Sequence, residues 1–202
     1  MLLTLGLALA APGDDVPSAA SCPPSPPASV EADARFAAGR VVVVDKSAYT
    51  LGIYDRGALA GLRGAPACWP VAMAAGAWGG TKAQRGDLKT PEGWLRVVLH
   101  NPHSSYTLSL QLDYPRREDI DRGERAGIID SSTATRLRAQ VARGRLPEQG
   151  TALGGEIFVH GTPGGPGSNA WTLGCVALAD DAIRLVYDAV PNGTWVLVLP
   201  GP

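Results

Sequence analysis

A histidine and a cysteine, each at the edge of an apolar stretch, are the residues of this sequence best placed to do chemistry. In residues 157–178 (IFVHGTPGGPGSNAWTLGCVAL) a short apolar run ends in His160-Gly161, and a glycine-rich loop leads to Thr172-Leu173-Gly174-Cys175. Fourteen residues separate the two, enough for the loop to fold back and pair them. A thiol of ordinary pKa, about 8.5, is only a few per cent thiolate at neutral pH, so a cysteine nucleophile gains from an imidazole that can take its proton. Gly174 lets the backbone turn tightly before Cys175 and present N–H groups toward the oxyanion that develops in acyl transfer. Residue types and order therefore suit acyl transfer through a thioester. The plainer readings are a small buried cysteine in a strand and a core histidine. Zinc needs three or four ligands, and the other histidines, His100 and His103, sit in a proline-containing turn, so neither a metal nor another cofactor is expected. Trp171, directly before the cysteine turn, and Tyr114 are read as candidate groove residues.

The elements that must hold this pair are mostly strands. Residues 41–45 (VVVVD) and 49–54 (YTLGIY) read as a hairpin that opens the folded unit. Further strands are expected at 67–74, 94–100, 106–112, 156–160, 174–178 and 194–199, separated by Gly, Pro and Asn. Helical patterning is confined to 131–143, which begins with capping residues, and to 181–190, where Ile183, Val186, Tyr187 and Val190 share one face. The expected fold is mainly β, a sandwich or barrel with one or two packed helices.

Composition narrows the function classes. Eighteen basic and nineteen acidic residues nearly cancel in a chain of 202 that is 45% hydrophobic, so nothing favours a nucleic-acid partner. The longest apolar run, residues 1–11, falls short of the roughly 20 needed to span a bilayer, and no transmembrane helix is expected. That run has the length of a signal-peptide core, with Ala8-Leu9-Ala10 as a small-x-small site, and it predicts export to the periplasm or cell envelope. Residues 12–37, rich in Pro, Ala and Ser, read as a linker, leaving 38–202 as the folded domain. Cys22 lies in that linker in a loose likeness of a lipidation site. Cys68 reads as an apolar strand position, with a bridge to Cys22 after export as the alternative. The stretch 82–93 (KAQRGDLKTPEG) lacks the spacing of a phosphate loop and reads as a structural turn, bordering the groove, in which Asp87 and Thr90 cap backbone groups.

Taken together these segments resemble the L,D-transpeptidase (YkuD-like) family. Its active-site motif is a histidine followed after about 14 to 17 residues by Ser/Thr-x-Gly-Cys, as in His160 to Cys175. Residues 42–54 are similar to the family's opening V-D-x-x-x-x-x-L-x-V-Y hairpin, and 82–93 to its K-x-x-x-G-D-x-x-T-P-E-G stretch. Residues 101–115, with Leu153-Gly154-Gly155, look like the murein L,D-transpeptidase branch that carries a longer middle insertion. Two positions depart from the common pattern: Leu173 stands where many members have His, and Ala177 where Asn or Arg is frequent. The resemblance implies a peptidoglycan enzyme in which Cys175 attacks the third residue of a tetrapeptide stem and expels D-alanine. His160 would be base and then acid, with the Gly161 carbonyl holding its other nitrogen. The N–H groups of Gly174 and Cys175 would line an oxyanion hole shaped by Thr172. The implied partners are peptidoglycan stem peptides and, as acceptor, a crosslinking stem, a D-amino acid or a lipoprotein; hydrolysis of the same class of bond is the alternative. A papain-like hydrolase fits less well, because there the cysteine precedes its histidine. A non-catalytic wall-binding module is the remaining rival.

Overall fold

Consecutive β-branched residues favour extended backbone and pack on both faces of a sheet, and the run RVVVVD becomes β1 (Arg40–Asp45), with Val41, Val42, Val43 and Val44 buried. Asp45 closes the next turn, its Oδ1 accepting the Ser47 and Ala48 N–H groups at 2.8 and 3.1 Å. The chain returns as β2 (Thr50–Asp55), antiparallel to β1 with Val42 opposite Ile53, which is the expected hairpin. The structure, a computed structural model, describes residues 21–77, 79–162 and 170–201. The expected export signal lies outside the described residues, as do residues 163–169 of the glycine-rich loop.

After β2, β3 (Ala58–Leu59) extends the sheet, and β4 (Gly61–Leu62) and β5 (Ala65–Pro66) form a small hairpin. The single strand expected at 67–74 is instead two: β6 (Cys68–Pro70) pairs with β2, and β7 (Met73–Ala74) pairs away from the main sheet. Pro70 has no N–H with which to carry a ladder across the break. There follow β8 (Gly93–Asn101), β9 (Ser109–Leu112), β10 (Phe158–His160), β11 (Ala170–Thr172), β12 (Val176–Ala177) and β13 (Trp195–Leu199). The main sheet runs β12-β10-β9-β8-β13-β1-β2-β3. Strand β8 belongs to two halves: its first residues pair with β13 and its last with β9, with a register shift between Val97 and Leu99. Such an irregularity bends a strand. One core joins the two halves, taking Val42, Leu51 and Ile53 from one, Leu110, Leu112 and Val159 from the other, and Ile183 and Val186 from a helix. The fold is thus mostly sheet, as expected, but among the described residues the strand order runs from β12 to β3, with Ala72 bridging Ala177 of β12 and β6 beside β3 on β2, and forms no closed barrel.

The described helices number five. In chain order they are α1 (Ala28–Glu31), α2 (Ala34–Ala38), α3 (Arg117–Arg125), α4 (Ser131–Ala142) and α5 (Asp180–Ala189). Helix α4 is capped by Asp130, whose carboxylate accepts the Thr133 N–H at 2.7 Å. Helix α5 buries Ile183 and Val186, the face read from its periodicity. Helix α3 was not expected, because REDIDRGER offers Ile120 as its single large apolar residue. Its order comes from tertiary contacts: the buried Asp119 accepts from Arg116 and Arg122 at 2.9 and 2.7 Å, and Ile120 joins Ile129, Leu137 and Leu153 in a small core of its own.

The linker expectation fails for the described part of residues 12–37. Asp33 caps α2 through the Arg35 N–H at 2.9 Å, and Phe36 is 1% exposed, packed on Val41, Val43, Tyr54 and Leu197 on the sheet's outer face. The Pro23 carbonyl accepts from the Tyr54 hydroxyl at 3.0 Å and the Pro24 carbonyl from the Leu59 N–H at 2.8 Å. A disulfide joins Cys22 to Cys68, so the bridge given as the alternative is present. Composition misled because a single aromatic side chain and a single crosslink anchor a segment otherwise poor in apolar bulk. Closing a loop of this length restricts the unfolded chain by about 3–4 kcal/mol. The paired Cys22→Ser, Cys68→Ser variant should therefore lose roughly that much unfolding free energy in a urea titration while Cys175 keeps its reactivity toward iodoacetamide.

Candidate active site

Strands β10 and β12 lie side by side and parallel, Val159 level with Val176 and His160 with Ala177. Extending the register one step back sets Cys175 level with Phe158. Residues two apart on a strand share a face, so thiol and imidazole leave the same face of neighbouring strands, on Cα atoms roughly 8 Å apart by ordinary strand spacing. Both side chains line one cavity of about 680 Å³. Sequence reasoning assigned the pairing to the loop; the parallel ladder accounts for it.

His160 is 4% exposed, and its Nδ1 donates to the Gly161 carbonyl at 2.8 Å. A carbonyl oxygen only accepts, so this bond places the proton on Nδ1 and leaves a lone pair on Nε2. Burial pushes the imidazole below its ordinary pKa of 6.5, with the Gly161 bond opposing. Gly161 cannot carry a side chain: a β-carbon would come within 2.7 Å of both Asp180 Oδ1 and the Tyr106 carbonyl.

Cys175 is partly exposed, and its thiol donates to the Glu156 carbonyl at 3.5 Å. Burial pushes the thiol above its ordinary range; the Phe158 N–H and the Lys82 charge oppose this, while the Glu156 carboxylate adds to it. Both shifts favour a neutral thiol and a neutral imidazole. Thr172 straps the cysteine turn, its Oγ1 donating to the Cys175 carbonyl at 2.8 Å and accepting the Gly174 N–H at 3.4 Å. Gly174 holds φ at 135°, and a β-carbon there would lie 2.7 Å from the Lys89 carbonyl. Gly174→Ala thus meets both an unfavourable backbone conformation and a clash. It should cost about 1–3 kcal/mol of stability and, by displacing the turn, about 10²-fold in kcat/KM, checked by denaturant melts and steady-state kinetics.

Several site residues went unread in the sequence. Glu156, whose carbonyl receives the thiol, sits at φ 54°, a left-handed conformation rare for a glutamate. Gln149 pins it there: its Oε1 accepts the Glu156 N–H at 2.6 Å, and its Nε2 donates to the carbonyls of Tyr114 and Pro147 at 2.9 and 2.7 Å. No local pattern marks Gln149, because its role depends on the Tyr114 carbonyl, 35 residues away, as well as on Glu156. Tyr106 lies beside the imidazole, ring centroids 4.5 Å apart, although its sequence suggested only a strand residue. Lys82, by contrast, belongs to the stretch read as bordering the groove, and it lines the cavity with its ammonium bound to Asp87 at 2.9 Å and to the Gln84 carbonyl at 3.1 Å.

The remaining expectations divide. Trp171 lines the cavity, its ring centroid 5.7 Å from that of His160. Tyr114 does not: it is fully buried, its hydroxyl donating to the Leu153 carbonyl at 3.2 Å, since the insertion that follows it folds over it. Asp87 caps its turn, accepting from the Ala83 and Gln84 N–H groups at 2.7 and 3.0 Å. Burial would raise its carboxyl, but these bonds and Lys82 outweigh it and hold the pKa below the ordinary 3.8. Thr90 caps nothing among the described residues; its Oγ1 is buried without a hydrogen-bond partner. Among the described residues no three His, Cys, Asp or Glu side chains are placed to hold a metal ion, and no helix is long and apolar enough to cross a membrane.

The chain matches no curated protein sequence. Among solved structures it is similar to the helical cell shape determining protein Pgp2 from Campylobacter jejuni, with 21% identity and a TM-score of 0.53, over 81% of this chain and 48% of that one. It is also similar to an L,D-transpeptidase from Mycobacterium tuberculosis H37Rv, with 15% identity and a TM-score of 0.43, over 80% of this chain and 57% of that one. At these identities the likeness is one of fold, and this chain spans about half the length of the Pgp2 chain. The model of the YkuD family, described as the L,D-transpeptidase catalytic domain, matches residues 39–198. That match takes in β1 through most of β13 together with His160 and Cys175, and the chain belongs to the L,D-transpeptidase catalytic domain family.

Proposed function

We propose that this protein is a cysteine-dependent peptidoglycan L,D-transpeptidase acting on tetrapeptide stems through an acyl-enzyme. One observation supports the reading above the others: His160 Nδ1–H donates a hydrogen bond to the Gly161 carbonyl, so that Nε2 carries the lone pair as a base in the cavity that Cys175 lines. In the first step Sγ bonds to the carbonyl carbon of the third stem residue as the thiol proton passes to Nε2. The C–N bond to D-alanine then breaks, and the leaving amine takes the proton from the imidazolium. An acceptor amine next attacks the thioester, the C–S bond breaks, and the acceptor's proton returns through His160 to Sγ. The Cys175 N–H is the backbone donor best suited to the oxyanion, since Thr172 already engages that of Gly174. The acceptor is an amine of another stem, of a D-amino acid or of a lipoprotein; with water in its place the protein is a hydrolase of the same bond. Export to the periplasm or cell envelope accords with the Cys22–Cys68 disulfide, a bond that persists in oxidising compartments.

The test incubates the full chain with tetrapeptide muropeptides, with and without an added D-amino acid, and follows products by mass spectrometry against Cys175→Ala. Loss of D-alanine with amine incorporation, absent in the variant, is the expected result. Shortened stems alone would move the assignment to the hydrolase, and silence on every stem would leave a wall-binding module.

A further inference from the structure

Four large hydrophobic side chains are exposed among the described residues: Leu88 (37%), Leu99 (48%), Tyr106 (45%) and Leu173 (76%). Three of the four, all but Leu99, line the cavity that holds Cys175 and His160. Single exposed leucines are ordinary, but exposed apolar groups gathered at one cavity mark a contact surface. Leu88 is also held at φ 56°, a conformation that costs a non-glycine residue about 1 kcal/mol or more. The backbone around it is packed tightly. A β-carbon on Gly76 would lie 2.7 Å from the Leu88 carbonyl, and one on Gly174 the same distance from the Lys89 carbonyl. The turn bearing Leu88 therefore abuts the turn bearing Leu173 and Cys175, and the fold accepts backbone strain while leaving a leucine in solvent there.

The same cavity is lined by Arg85, whose guanidinium donates to the Gln149 and Thr151 carbonyls at 3.2 Å each. Those partners are neutral, and among the described residues no carboxylate forms a salt bridge with Arg85. A ligand carrying a free carboxylate and an apolar side chain on one α-carbon would satisfy both features. On a stem peptide this is the terminal residue on the leaving side of the attacked carbonyl. We infer that Leu173 and Leu88, with Tyr106 lining the same cavity, form an apolar lip that takes the side chain of that residue and selects a bulky apolar D-amino acid over D-alanine, Arg85 taking its carboxylate. This inference rests on the reading of Cys175 as the acyl acceptor for stem peptides. In exchange, the apolar D-amino acid's α-amine bonds to the thioester carbonyl carbon, the C–S bond breaks and the amine proton passes by His160 to Sγ.

Binding tests the lip separately from turnover. In the full chain carrying Cys175→Ala, calorimetry should give a tetrapeptide stem ending in D-leucine about tenfold or more tighter binding than one ending in D-alanine, the discrimination expected of a few methylenes in an apolar site. Adding Leu173→Ser should bring the two within about twofold. Leu88→Asn, chosen because asparagine tolerates positive φ, should do the same, whereas Arg85→Gln should weaken both stems equally. Equal affinities in the Cys175→Ala chain, or a D-leucine preference untouched by both leucine variants, would overturn the lip. So would concentration-dependent dimerisation abolished by Leu173→Ser, which would make the leucines a contact between two copies. A D-leucine preference in binding without turnover by the unsubstituted chain would sink the transpeptidase reading and leave the lip standing; turnover without the preference would do the reverse.

Discussion

Cys175→Ser should form no thioester with tetrapeptide stems and should lose on the order of 10⁴-fold or more in kcat/KM, as expected for removal of a nucleophile whose partners act as a unit. Serine preserves the shape of the turn, and the Thr172 Oγ1 bond to the residue-175 carbonyl at 2.8 Å does not depend on the side chain. The variant should therefore melt within a few degrees of the parent. Intact-protein mass spectrometry checks the first point, a stem adduct on the parent and none on the variant, and thermal melts check the second. An undiminished rate in Cys175→Ser would remove the thioester as a required intermediate, because the other two cysteines are tied together.

His160→Ala should lower kcat/KM by about 10²–10⁴-fold, the range for loss of a positioned general base, and it should also change the pH profile. In the parent, burial disfavours the imidazolium and sets the His160 pKa below 6.5. The base is thus competent throughout the neutral range, and kcat/KM falls only as pH drops through that lowered value. The same sign applies to folding: as pH falls below 6.5 the unfolded chain takes up this proton first, so stability declines until the folded-state pKa is passed. The thiol, pushed up from its ordinary range by burial, adds no limb near neutrality, and iodoacetamide alkylation of the resting enzyme should climb with pH well into the alkaline range. A preformed thiolate–imidazolium pair would instead give fast alkylation that is flat down to acid pH. In His160→Ala the acid limb should disappear while the alkylation profile keeps its alkaline rise.

The residues of the sequence carried a good part of this structure. The β1–β2 hairpin was legible because four consecutive valines and an Asx turn act locally. Helices α4 and α5 were legible because an acidic or capping start and a 3.6-residue apolar spacing are properties of the segment itself. What was missed depends on partners distant in the chain. Helix α3 has almost no apolar face of its own and is ordered by a buried carboxylate and by Leu153. Residues 21–37 looked like a linker because composition does not register that Phe36 has a pocket on the sheet or that Cys22 has a bridging partner 46 residues away. Tyr114, aromatic and near a loop, has the local character of a groove residue but lies in the core, since burial is a property of what folds over a side chain.

At the site the division is the same. The order His160, Gly161, then Gly174-Cys175 could be read from the chain, because a thiol, an imidazole and glycines at turns are chemical and steric requirements written residue by residue. The tertiary structure alone decided that β10 and β12 are parallel neighbours, that burial favours the neutral form of both groups, and that Gln149 holds Glu156 in the conformation whose carbonyl meets the thiol. Each of these depends on distance, dielectric surroundings or a hydrogen bond between segments far apart in sequence, and none of those quantities exists until the chain has folded.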